Sequence, residues 1–174
     1  MLILGLLVAA FSLRVGARIF SLGLLALAIW LLGNDISRRT LRQNGLPRYA
    51  AICLLSGFTW MAIGGILGLI YGAQAAGLIY DAILHTVFIG FVISMIFGHA
   101  PIIFPSILGL PIRYNPIFYT HLSLLHASLL LRITGDLMLN PSMRQWGGLL
   151  NGIAILVFLA LTAAAMVKPR QDYS

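Results

Sequence analysis

Five apolar stretches, near residues 18–33, 49–71, 81–98, 116–135 and 147–167, constrain what this chain can fold into. The hydrocarbon core of a bilayer is about 30 Å thick and takes roughly 20 apolar residues of helix to cross. No water satisfies a backbone N–H or C=O at that depth, so each stretch has to close its hydrogen bonds within itself. The expected fold is therefore all-α: a polytopic transmembrane helical bundle of about five spans, forming a single membrane domain over residues 1–174. With 60% hydrophobic and 9% charged residues and a mean hydropathy of +1.00, the lipid bilayer is the expected partner. The lone cysteine, Cys53, lies in an apolar run and offers no intrachain disulfide.

Two segments fit this scheme poorly. Residues 1–12 are apolar but too short to cross, since a dozen helical residues reach about 18 Å. They could lie at the interface, re-enter, continue into 18–33 as one helix, or be the tail of a span outside this chain. Their apolar part begins at Met1 with no basic stretch before it, which argues against a cleaved signal peptide. The second segment is "HAPIIFPSILGLP", where Pro101, Pro105 and Pro111 should interrupt regular helix. A kinked or re-entrant segment is expected there.

The net charge of +7 suggests nucleic acid until the charges are located. Arg38, Arg39, Arg42 and Arg48 fall in one inter-helix loop, with Arg113, Lys168 and Arg170 on the same side by alternation. Arg14, Arg18, Arg132 and Arg144 fall on the other side. This is a positive-inside bias and not a nucleic-acid face. It puts loop 34–48 and the C-terminus in the cytoplasm, with the chain in a plasma membrane of bacterial inner-membrane type.

Within the second stretch, Gly64, Gly68 and Gly72 recur every fourth residue and make a groove where another helix can approach closely. The chain has four histidines, all in the third and fourth stretches: His85 and His99, then His121 and His126. Ionisable side chains inside a membrane are costly and mark candidate sites. Uniform helical steps of 100° put His85 and His99 about 40° apart on one helix face. Across two antiparallel helices His85 can oppose His126, and His99 can oppose His121. A planar haem needs ligands on both sides of its ring, which facing helices supply. His85 with His126 is the preferred axial pair; His99 and His121 could hold a second haem or a copper ion. Arg14 and Arg18, four apart, and Arg132 are candidates for the haem propionates. The bland alternatives are histidines that hydrogen-bond a neighbouring helix and arginines that reach lipid headgroups. Asp136 is expected to form a surface ion pair with Arg132, and Asp81 to cap a helix.

The spacing in "HTVFIGFVISMIFGH" resembles the two-histidine helix of the cytochrome b family, although the following helix carries "HLSLLH" instead of a second long spacing. The segments "RRTLRQNGLPR", "YDAILHTVFIGFVISMIFGHAPIIFP" and "LSLLHASLLLRITGDL" resemble NnrS-like membrane proteins, which are related to haem-copper oxidase subunit I. This likeness covers roughly residues 35–137. It implies a protein that binds haem (a b-type haem), with copper as an optional second metal, in nitric oxide or respiratory metabolism, with His85, His99, His121 and His126 as the positions that could carry over as ligands. The functional expectation is thus a haem-binding electron-transfer subunit or a nitric oxide or dioxygen binding module. The alternative is a cofactor-free structural or assembly subunit working with other membrane subunits. A transporter ranks third, since no paired intramembrane carboxylates or repeats are visible.

Overall fold

In a computed structural model, which describes residues 1–110 and 112–166, the chain is a helical bundle. Its helices are α1 (Leu2–Ala9), α2 (Leu13–Asn34), α3 (Ser37–Thr40), α4 (Leu46–Tyr71), α5 (Leu78–His85), α6 (Ser94–Leu108), α7 (Phe118–Leu137) and α8 (Pro141–Ala165). A π-helical segment, Thr86–Ile93, joins α5 to α6 without a break. Four helices are long and apolar enough to span a membrane: α2, α4, the continuous α5–α6 unit and α8. The chain is therefore an integral membrane protein with lipid around its apolar faces. Helix α7 is of similar length, but it carries His121, His126, Ser128, Arg132 and Asp136, and its apolar character is correspondingly lower.

The helices alternate in direction, so the loops gather at two ends. At the arginine-loop end, Gly45 lies against Tyr114, and Arg113 N–H donates to the Ala165 carbonyl at the end of α8. At the opposite end are residues 10–12, 72–77 and 138–140, together with Arg14, Arg18, Arg132 and Arg144. Pro111, Lys168 and Arg170, and residue 167 of the fifth expected span, lie outside the described residues. Helix α4 is central: α2 packs on one side, and the π segment and α6 on the other. The α7–α8 hairpin closes the far side, with Phe97 of α6 stacked on Phe158 of α8 at 4.3 Å between ring centroids.

Residues 1–12 are neither a long extension of α2 nor a full span. Ser12 is extended (φ −146°, ψ 100°) and separates α1 from α2. Helix α1 folds back antiparallel on α2, Ala9 against Gly16, Phe20 against Gly5 and Leu2 against Gly23. It thus reaches about ten residues, or ~15 Å, along α2. The proline-rich segment stays helical to Leu108 and ends where Gly109 adopts a left-handed conformation (φ 66°). Pro101 and Pro105 each remove one N–H donor, but they are four apart, so both losses fall on one side of the helix. The 31-residue α5–α6 unit is about 46 Å long, so its proline-bearing end reaches past a 30 Å hydrocarbon core, where polar groups are more easily satisfied. Helix α8 starts earlier than its apolar run, because Asn140 caps it by accepting from Met143 N–H and Pro141 fills the first turn.

Candidate functional site: intramembrane histidines and a four-charge cluster

The most complete polar arrangement surrounds His126 of α7. Trp60 of α4 donates its indole N–H to His126 Nδ1 at 3.0 Å. An indole nitrogen can only donate, so Nδ1 carries a lone pair and the proton of the neutral ring sits on Nε2. Nε2–H then donates to Ser56 Oγ at 2.9 Å, and the Ser56 hydroxyl donates in turn to the Cys53 carbonyl at 3.0 Å. The chain of donors is consistent from end to end. It fixes the tautomer and engages both ring nitrogens, with the Trp60 and His126 rings side by side at 24° and 6.4 Å between centroids.

His121, one and a half turns along α7, is buried. Its Nε2 pairs with the Tyr49 hydroxyl of α4 at 2.8 Å, while Nδ1 has no partner among the described residues. Phe97, Phe118 and Phe158 wall the ring in, the nearest centroid being Phe97 at 4.8 Å. His85 is half-buried and His99 exposed. Each uses Nδ1–H on the carbonyl four residues back, His85 on Asp81 at 2.7 Å and His99 on Met95 at 2.8 Å. Their Nε2 atoms have no hydrogen-bond partner among the described residues.

Among the described residues, no hydrogen bond or ring contact joins two histidines, and no three His, Cys, Asp or Glu side chains group as a metal site. Trp60 packs on Gly90, which sets the height of the His126 ring. His85 lies five residues further toward the opposite end. His99 faces outward between α3, α4 and α6, away from the aromatic cage of His121. A haem between His85 and His126 would require Nε2 of His126 to give up its proton and its bond to Ser56. As arranged, both ring nitrogens of His126 are engaged by protein groups.

The arginines divide into two groups. Arg132 and Arg144 join Asp81 and Asp136 in a cluster tying α5, α7 and α8 together at the opposite end. Arg144 Nε donates to Asp136 Oδ1 at 2.5 Å, and its Nη2 pairs with Asp81. Arg132 lies 3.6 Å from Asp81 and 3.9 Å from Asp136. The expected Arg132–Asp136 pair is present, but Asp136 is 0% exposed and its close partner is Arg144. The role of Arg144 was missed because it comes from another helix, at no fixed sequence spacing. Asp81 does not cap α5, which starts at Leu78 after Gly77; it lies in the first turn and ion-pairs across helices. Arg14 and Arg18 are exposed and make no ion pair or hydrogen bond among the described residues. They face Tyr71, Gly72, Ala73 and Gln74 across a cavity of about 270 Å³.

The model of a family described as a domain of unknown function, DUF8744, matches residues 1–167. The chain belongs to this family. The match takes in every helix described above, including the short α1, so the DUF8744 unit is the whole bundle and not the histidine-bearing helices alone. No curated protein and no solved structure matches the chain.

Proposed function

We propose that this chain is a cofactor-free structural subunit of a larger membrane assembly. The observation that carries the reading is the donor chain Trp60–His126–Ser56–Cys53, which leaves the best-placed histidine with no nitrogen free for a metal. Buried polar groups spent on each other set helix register, a structural use. The small helix α1 supports the assembly reading, since it covers about half of α2 and leaves Ile29 and Trp30 of α2 uncovered beyond it. The subunit would sit in a bacterial plasma membrane with loop 34–48 and the C-terminus in the cytoplasm. In support, the arginine-loop end carries Arg38, Arg39, Arg42, Arg48 and Arg113 and is followed by Lys168 and Arg170.

A second reading keeps the haem or copper. His85 and His99 each donate Nδ1–H to a backbone carbonyl, with Nε2 unpartnered among the described residues, the outer-shell arrangement usual for a metal-binding imidazole. In that reading the opposing ligand comes from another chain of the assembly. Visible absorption, a pyridine haemochrome assay and metal content of the detergent-purified chain test both readings, alone and with its co-purified partners. A colourless, metal-free, folded chain in every preparation supports the structural subunit. A haem or copper signal abolished by His85→Ala or His99→Ala establishes the second reading. A signal abolished by His126→Ala would sink the tautomer argument on which the first rests.

A further inference from the structure

At the opposite end of the bundle two cavities share one wall. The first, about 290 Å³, is apolar and lies between α1, α2, α4 and α5, with Leu6, Phe20, Ile83 and Leu84 among its sides. It persists because α1 packs against α2 backbone to backbone through Gly5 and Gly16, and the residues left facing α4 and α5 are small, such as Ala9, Ala17 and Gly68. The second is the cavity bearing Arg14 and Arg18. Gly72, Ala73 and Gln74, the turn leaving α4, line both. An apolar slot therefore opens beside two guanidiniums at the end of the membrane-spanning helices.

The charges are asymmetric at this end. Arg132 and Arg144 are matched by Asp81 and Asp136. Arg14 and Arg18 share one face of α2 and have no acid opposite them among the described residues. Arg18 is close to the turn, its Nε 3.6 Å from where a Cβ on Gly72 would stand. Two guanidinium forks side by side match the oxygens of a phosphate. A free phosphate would leave the adjoining slot unused, and a neutral lipid would leave the arginines unused.

We propose that this crevice binds an anionic phospholipid, its phosphate on Arg14 and Arg18 and part of one acyl chain in the apolar slot beside Gly72–Gln74. A slot of this size is at the small end of ligand pockets, about 300–1,000 Å³, and so suits part of one chain and not a whole lipid. The rest of the lipid stays in the leaflet.

The test is native mass spectrometry of the full chain, released from nanodiscs holding equal phosphatidylglycerol and phosphatidylcholine of one chain length. The expected result is one retained phosphatidylglycerol, favoured on the order of tenfold, as two arginines at an anionic surface provide. Arg14→Gln/Arg18→Gln, both at exposed positions, should abolish the preference. Ala73→Trp, which fills the shared wall but keeps the arginines, should abolish retention. Leu84→Trp fills the same slot from α5 and gives the same readout should Ala73→Trp not fold. Equal retention of both lipids, or a preference that survives the double arginine change, overturns the proposal. Retention unaffected by filling the slot would mean headgroup attraction only and also overturns it. So does displacement of the lipid by inorganic phosphate at millimolar concentration, which would show a site for the free anion.

Discussion

Breaking the four-charge cluster from either side should give unequal costs. Asp136 is 0% exposed, and among the described residues its carboxylate accepts one hydrogen bond, from Arg144 Nε to Oδ1, while Oδ2 accepts none. Arg144→Gln would leave that carboxylate buried, with Arg132 at 3.9 Å as its remaining counter-charge. Stranding a buried charge in this way costs about 3–5 kcal/mol. Asp136→Asn removes the buried charge and keeps an oxygen for Arg144 Nε. Neither cation is stranded: Arg144, 34% exposed, keeps its pair with Asp81 and can turn toward water, and Arg132 keeps Asp81 at 3.6 Å. Discounted for that exposure, its cost should be about 1–2 kcal/mol. The double variant Arg144→Gln/Asp136→Asn should cost less than the sum of the two, with a coupling of about 1–3 kcal/mol. Reversible unfolding in mild detergent, followed by circular dichroism, measures all three. Equal costs for the two single variants, or zero coupling between them, would refute the assignment of Asp136 as a buried charge held by Arg144.

Other positions give equally direct expectations. Trp60→Phe removes the donor to His126 Nδ1 and should cost about 1 kcal/mol for the lost bond, with added loss of packing. The same change should convert the ¹⁵N signature of His126 from a single Nε2–H tautomer to a mixture; an unchanged spectrum would contradict the donor chain. Gly90→Leu places a Cβ 2.5 Å from Trp60 Cβ and Cγ, so α4 and the π segment must separate, at about 1–3 kcal/mol or more in the unfolding assay. Asn140→Ala removes the cap on α8 and should cost about 1 kcal/mol, whereas Asn140→Gly should cost only a few tenths.

The helical membrane fold was legible because hydrocarbon permits few alternatives: an apolar run near 20 residues specifies its own secondary structure. The glycine groove of α4 was legible as a packing surface but not its division. Gly57 and Gly64 receive the π segment and α6 side, whereas Gly65 and Gly68 receive Ser21 and Leu25 of α2. Neighbouring glycines on one helix thus serve two partners, and spacing alone does not say how many helices approach. The histidine phase was harder to read for a definite reason. The 40° offset between His85 and His99 assumed uniform α-helix, but Thr86–Ile93 between them is π-helical, and i→i+5 bonding turns fewer degrees per residue. The partners of His126 and His121, Trp60 with Ser56 and Tyr49, lie 66 to 72 residues away in sequence. Only the rotation of α4 about its own axis determines that they meet.

Among the described residues, every side-chain hydrogen bond or ion pair between two of the long helices involves α7, except the Arg144–Asp81 pair. Helix α7 meets α4 through His126 and His121, α8 through the Ser128–Asn151 bond of 2.6 Å and Arg144, and α5 through the pairing of Arg132 with Asp81. Polar contacts therefore recur along most of its length, from Tyr49–His121 near the arginine-loop end to the charged cluster at the other. This accounts for α7 being the least apolar of the long helices while contributing nine buried residues. Helix α7 keeps an exposed face that includes Ala127 and Leu130, and on its buried face it spends its polar groups on its neighbours. Apolar contacts in a membrane are only weakly specific, since lipid is as apolar as leucine. Polar contacts at several heights reject a slip of one helical turn, because any slip strands a histidine, a carboxylate or an amide without its partner. On that argument the histidines of α7 resemble its serine and its charged residues in what they do: they fix the register of a bundle whose glycines supply the close approach.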